Sequence, residues 1–333
     1  MRLAVGPMTR ALILGGGGVT GIAWEAGVLQ GLAETGFDIR HWDLVVGTSA
    51  GSVVGANLLG QADFATWFET QLLEDTTAED DIVVALAGRI GGRLIFAGRR
   101  RRLGWAPRLW LTATTVETFV RAAARRPSLR GRAPGDAAPP RQIAGPNALL
   151  ARAAALGLAA RTAPEARFIS VIANALDPVT EWPVPLTVTA IAIDGSTVAF
   201  DAASGVDLAR GVAASAAVPL LFPPIVIGGR PYIDGGMGSQ THADVARGID
   251  DVLVVAPLNT GALDRETAAL QAAGSRVDVV RPSPAATRAL GRDLALLDPA
   301  RRSLAARTGR DDGLAAGRAL VDAWSRGRPS SAA

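Results

Sequence analysis

The chain has no cysteine, no lysine, a single tyrosine and only two histidines, His41 and His242. Without cysteine there are no disulfides and no thiolate metal sites, and two histidines cannot build a histidine-rich metal centre. No metal and no cofactor is therefore expected. The missing lysine removes the residue that a Walker-type phosphate loop requires. It also explains why a formal net charge of only +3 accompanies an isoelectric point near 10.6. Almost nothing titrates between neutral pH and the range of arginine. The high isoelectric point is thus no sign of nucleic acid, which needs a clustered basic surface, and no nucleic-acid partner is expected. No window holds the roughly eighteen uninterrupted apolar residues of a spanning helix. Pro7, Thr9 and Arg10 also break the apolar start before it reaches the length of a signal-peptide core. The expectation is a cytoplasmic protein whose contact with membrane is peripheral.

What is present is apolar bulk: 333 residues, 49% of them hydrophobic, enough to bury a large core. The first sixty residues alternate strand and helix. Ala11 to Leu14 is a short apolar strand ending in Gly15 to Gly18. Ile22, Ala26, Leu29 and Ala33 then recur at helical spacing, and Gly36 supplies a stop. Leu44 to Val46 is a second strand, followed by GTSAGS and a helical stretch from Val53 to Leu59. This alternation predicts an α/β fold, a mainly parallel sheet sandwiched by helices. Further strands are expected at Phe168 to Ala173, Leu186 to Ile193, Val198 to Phe200, Pro231 to Ile233, Val252 to Val255 and Val277 to Val280, with a helix at Val206 to Ala214. Residues 9–333 read as one domain. Within it, 61–166 read as a mostly helical insertion or lid, and 326–333 as a frayed tail.

Two glycine-bounded turns carry the chemistry. GTSAG, with Gly47 and Gly51 flanking Ser49, follows a strand and opens a helix, the context of a nucleophile elbow. A serine N-cap at an ordinary strand-to-helix turn is the plainer reading. GGGGVTG, Gly15 to Gly21, contains a GxGxxG pattern. A dinucleotide site would also need an acid at the end of the next strand, and that strand runs straight into the serine turn. Bare amides at a helix N-terminus still stabilise negative charge. Gly16, Gly17 and Gly18, with Ala50 after the serine, are the candidates for an oxyanion hole; a tight turn without a ligand is the alternative.

A serine nucleophile needs a base. His242 lies in a polar stretch and His41 precedes the second strand on the side away from Ser49. Asp234 ends the strand PYID and is the better placed candidate. Because an ordinary aspartate is a weak base, its pocket must be dry enough to raise its pKa. The apolar run AASAAVPLLFPPIVIGG is available as a wall. Standing alone, Asp234 would read as an Asp-Gly turn.

Taken together, LGGGGVTGIAWEAGVLQGL, VVGTSAGS, ASAAVPLLFPPI and YIDGGM followed by ADVARGIDDVLVVAP resemble the patatin-like phospholipase family, in that family's order and over about residues 11–60 and 168–258. The resemblance implies a three-layer α/β/α fold and a Ser49–Asp234 dyad. It also implies an oxyanion hole at the glycine loop and hydrolysis of lipid acyl esters. Many members carry a basic residue where this chain has Thr20. An inactive lipid- or protein-binding module on the same fold is the alternative, and a dinucleotide-dependent oxidoreductase a weaker one.

Between Arg89 and Trp110 the insertion sets Arg93 and Arg99 to Arg102 beside Phe96 and Trp105. Arginine with tryptophan suits an anionic membrane surface, whereas a solvated helix face with tryptophans in a local core is the plainer reading.

Overall fold

The computed structural model describes residues 8–73 and 140–325. The middle of the 61–166 insertion, with its Arg89 to Trp110 segment, and the tail 326–333 lie outside the described residues. The elements in chain order are β1 (Arg10–Leu14), α1 (Gly18–Glu34), β2 (Leu44–Gly47), α2 (Ala50–Gly60) and α3 (Phe64–Leu72). Beyond residues 74–139, and still within the 61–166 insertion at first, come β3 (Arg141–Ala144) and α4 (Ala148–Ala159), then α5 (Glu165–Leu176), β4 (Leu186–Ala192), β5 (Thr197–Phe200), α6 (Leu208–Ser215), β6 (Ile225–Ile227) and β7 (Arg230–Asp234). The chain continues through β8 (Asp251–Val255), α7 (Gly261–Ala272), β9 (Arg276–Val280), α8 (Pro284–Leu290) and α9 (Arg302–Ser325). Among the described residues no helix is long and apolar enough to cross a membrane.

The heart of the sheet is parallel, in the order β4-β2-β1-β8-β9. Its strands are apolar at consecutive positions because both faces are covered. Leu12, Leu14, Val45, Leu253 and Val255 point into one core with α1, α2 and α9. Their neighbours Ala11, Ile13, Val46, Val252 and Val254 point into a second, with Leu263 and Leu270 of α7. The two-residue period of a strand divides one apolar run between two helical layers. The fold is therefore the expected mainly parallel sheet between helices.

Short antiparallel strands extend the sheet past β4. β5 pairs with one edge of β4, and β7 with the other, where Ala190 faces Asp234 and Ala192 faces Tyr232. β2 occupies that same edge one step earlier, with Gly47 opposite Val188. β2 and β7 thus run toward each other along β4 and stop end to end.

One expected strand is a helix. Phe168 to Ala173 reads FISVIA, a β-branched run, yet it lies in α5 and buries Phe168, Ile172 and Leu176. Those three are spaced four apart, a helical stripe that becomes visible only when the window extends past the apolar run.

α1 and α9 meet at unusually close range. Gly27 and Gly31 of α1 face Gly309 and Gly313 of α9, and a Cβ on any of the four would overlap a backbone carbonyl of the other helix. Glycine every fourth residue strips one stripe from each helix. α9 thereby holds the helix that opens at the glycine loop.

Candidate active site

Ser49 sits at the end of β2 as the N-cap of α2, with φ 52° and ψ −112°. A non-glycine residue at positive φ is strained and persists only where its surroundings hold it. Three contacts do so. The Ser49 N–H donates to Ser215 Oγ at 2.8 Å, the Ser52 hydroxyl donates to Ser49 O at 2.6 Å, and Gly51 N–H donates to Gly15 O at 2.9 Å. The flanking glycines are required by space: a Cβ on Gly47 would collide with Ser52, and one on Gly51 with the carbonyl of Leu14.

Asp234 is brought to this turn by the end-to-end arrangement of β2 and β7. Gly47 and Asp234 lie opposite residues of β4 that are two apart, and the turn after β2 covers the gap. The Ser49 hydroxyl donates to Asp234 Oδ2 at 2.9 Å, across 185 residues of sequence. Oδ1 accepts the Gly236 N–H at 2.6 Å, and the Asp234 N–H donates to Ala217 O at 3.0 Å, which ties β7 to the apolar block after α6. Asp234 is 4% exposed and Ser49 8%. Burial pushes the Asp234 pKa up from 3.8 to about 7, against the opposing pull of the Gly236 N–H and the Ser49 hydroxyl. The strand-end position was legible in sequence, but its reason differs from the expected one. β7 is antiparallel to β4, so the aspartate meets the serine head-on rather than along a shared parallel edge.

The histidines are elsewhere. His41 is exposed and pairs with Asp38 at 2.9 Å. His242 is buried and donates its Nε2–H to Gly235 O at 2.9 Å, bracing the turn beneath Asp234. None of the described hydrogen bonds joins either ring to Ser49.

At the glycine loop, Gly17 is the N-cap of α1, Gly18 its first residue, and Ala50 the first residue of α2. N–H groups at these positions have no acceptor within their own helix. Both helices open toward the serine turn, where their dipoles favour an anion. Gly16 differs from its expected role. Its N–H donates to Gln240 O at 2.7 Å and is engaged within the fold, which narrows the candidate oxyanion hole to Gly17, Gly18 and Ala50.

Three site residues escaped the sequence reading. Ser215 lies inside the ASAAVP block but gave no sign of reaching Ser49. Gln240 sits in the SQTH stretch that reads as an ordinary loop. Glu25, fully buried in α1, accepts the Gly15 N–H at 2.7 Å through Oε1, while Oε2 has no partner among the described residues. Burial holds its pKa well above the ordinary carboxylate range. An acid among the apolar residues in the middle of α1 was the available signal. The environment of Thr20 is also decided here: it is fully buried, and its hydroxyl donates to Leu290 O at 3.1 Å beneath the 290–297 segment. Among the described residues no group of three or more His, Cys, Asp or Glu is placed to hold a metal ion.

The family model for patatin-like phospholipases matches residues 12–247, a span holding both turns and Asp234. The chain belongs to the patatin-like phospholipase family. That membership supports a lipid acyl hydrolase activity. Among solved structures, it is similar to VipD from Legionella pneumophila at 15% identity and TM-score 0.41, covering 94% of this chain and 67% of that one. It is similar also to the type III effector protein ExoU at 17% identity and TM-score 0.36, covering 94% of this chain and 53% of the other, so it spans about half of ExoU. Comparison with curated proteins finds no match. α8 and α9 lie beyond the stretch matched to patatin-like phospholipases, yet α9 packs on the helix that opens at the glycine loop.

Proposed function

We propose that this chain hydrolyses lipid acyl esters through an acyl-serine formed by Ser49, with Asp234 as its base. One observation carries the reading: a buried 2.9 Å hydrogen bond from a strained serine hydroxyl to an aspartate whose pKa burial brings to about 7. A base near neutral pH is present in its unprotonated form and still accepts a proton effectively.

In acylation, Asp234 takes the Ser49 proton as Oγ attacks the ester carbonyl. The carbonyl oxygen becomes an oxyanion held by the Gly17, Gly18 and Ala50 amides. The intermediate collapses, the alcohol leaves with the proton from Asp234, and an ester of Ser49 remains. In deacylation a water gives a proton to Asp234 and attacks that ester. Ser49 Oγ departs, recovers the proton, and the free acid is released. Gly47 and Gly51 make the elbow sterically feasible.

A fluorophosphonate probe tests the reading. Covalent labelling of the wild type that disappears in Ser49→Ala is expected. Asp234→Asn should lower kcat by about 10²–10⁴-fold, and His242→Ala should leave most of it. Absence of labelling in well-folded wild type would return the chain to a binding module. The arginine and tryptophan composition of residues 89–110 supports docking on an anionic membrane surface as the route to substrate. Neutralising Arg99 to Arg102 should then weaken binding to anionic liposomes without changing turnover of a soluble ester.

A further inference from the structure

Gln240 lies between the two turns and is partly buried. Its backbone carbonyl accepts the Gly16 N–H at 2.7 Å. Its side-chain Nε2 donates to Gly236 O at 2.9 Å, and Gly236 in turn donates to Asp234 Oδ1. Because a carbonyl only accepts, the Gly236 contact fixes which end of the carboxamide is nitrogen. The other end, Oε1, is then set toward the site. A Cβ on Gly16 would collide with Oε1 while lying 3.6 Å from Ser49 Cβ, and a Cβ on Gly236 would lie 3.0 Å from Oε1 and 2.9 Å from Asp234 Oδ1. Oε1 is therefore a neighbour of both members of the pair, and none of the described hydrogen bonds uses it.

We propose that Gln240 orients the water that deacylates Ser49, accepting one of its protons at Oε1 while Asp234 accepts the other. The proposal rests on the acyl-serine reading above. A water attacking an ester needs two acceptors to fix both its O–H bonds and turn a lone pair on the acyl carbon. Among the described hydrogen bonds around Ser49, Ser215 Oγ is engaged as the acceptor of the Ser49 N–H. The Ser49 and Gly16 amides are donors already bonded, the Gly17, Gly18 and Ala50 amides are donors assigned to the oxyanion, and the His242 ring faces Gly235 O. Asp234 supplies one acceptor and Oε1 the second. The proton on Oε1 stays on the water oxygen and leaves with the acid. The proton on Asp234 returns to Ser49.

The test separates the two halves of turnover. Gln240→Met keeps length and the backbone carbonyl that anchors Gly16, and removes both the Oε1 acceptor and the Nε2 donor to Gly236 O. With a p-nitrophenyl ester in a stopped-flow instrument, the variant should keep the acylation burst within about twofold while steady-state turnover falls at least about tenfold. Acyl-enzyme should then accumulate in intact-protein mass spectra. Gln240→Asn, too short to hold Gly236 and face Ser49 together, should move in the same direction and carries the test if the Met variant fails to fold. Equal loss of both phases would make Gln240 a structural brace only and overturn the proposal, as would unchanged deacylation. Failure of wild type to label with a fluorophosphonate would instead overturn the acyl-serine reading and this one with it.

Discussion

The pH response of Asp234 separates catalysis from stability, because the two should move in opposite directions. Its folded pKa of about 7 stands above the ordinary value of 3.8. Between those values the folded protein holds a proton that the unfolded chain has released, so stability must fall as pH rises through the interval and level off above it. A shift of this size corresponds to on the order of 4 kcal/mol, at about 1.36 kcal/mol per pKa unit. Glu25, also raised, titrates in the same sense. The quantity to measure is therefore the difference between wild type and Asp234→Asn, in which Glu25 cancels. Urea unfolding of both proteins from about pH 4 to pH 8 should show the wild type losing stability relative to the variant by a few kcal/mol, most of it below about pH 7. Over the same range kcat/KM for a soluble ester should rise about tenfold per pH unit and flatten near pH 7, since it follows the unprotonated base in the free enzyme. A flat kcat/KM across that range, or a stability difference that changes only near pH 4, would refute the claim that a dry pocket tunes Asp234.

Ser215→Ala leaves the buried Ser49 N–H without its acceptor, at a cost of about 1–3 kcal/mol; kcat should fall with KM little changed, read by steady-state kinetics beside a thermal melt. Gly309→Ala pushes a methyl group into the Trp24 carbonyl across the α1–α9 contact and should destabilise by about 1–3 kcal/mol or more. Activity per folded molecule should survive at low temperature. Thr20→Val deletes the hydroxyl that meets Leu290 O and should cost about 1–2 kcal/mol. Thr20→Arg should cost more, because the buried space under residues 290–297 offers a charge no solvent; chemical denaturation of the three proteins orders them.

The elements around Ser49 were legible because they are local. A strand, two glycines that tolerate close approach, and a helix all fall between Leu44 and Gly60, and each has its own composition signal. The glycine loop is local in the same way. The Phe168 to Ala173 helix was misread for the opposite reason: a six-residue run with five apolar, partly β-branched residues fits either period, and the stripe that decides between them ends at Leu176. Gly27, Gly31, Gly309 and Gly313 carry the four-residue spacing openly in sequence. Nothing in one helix, however, names the partner that fills its stripe.

Sequence alone determined that Ser49 stands on a glycine-flanked turn between a strand and a helix, and that a second helix begins at the glycine loop. Tertiary structure decided the rest. It set Asp234, and not His242, against the Ser49 hydroxyl by stopping β2 and β7 end to end on β4, and it engaged the Gly16 N–H with the Gln240 carbonyl. It also buried Thr20 beneath a segment 270 residues further along. The physical reason is the same in each case. A turn's shape follows from the sterics of neighbouring residues, whereas the pKa and partners of a side chain follow from what the whole chain packs around it.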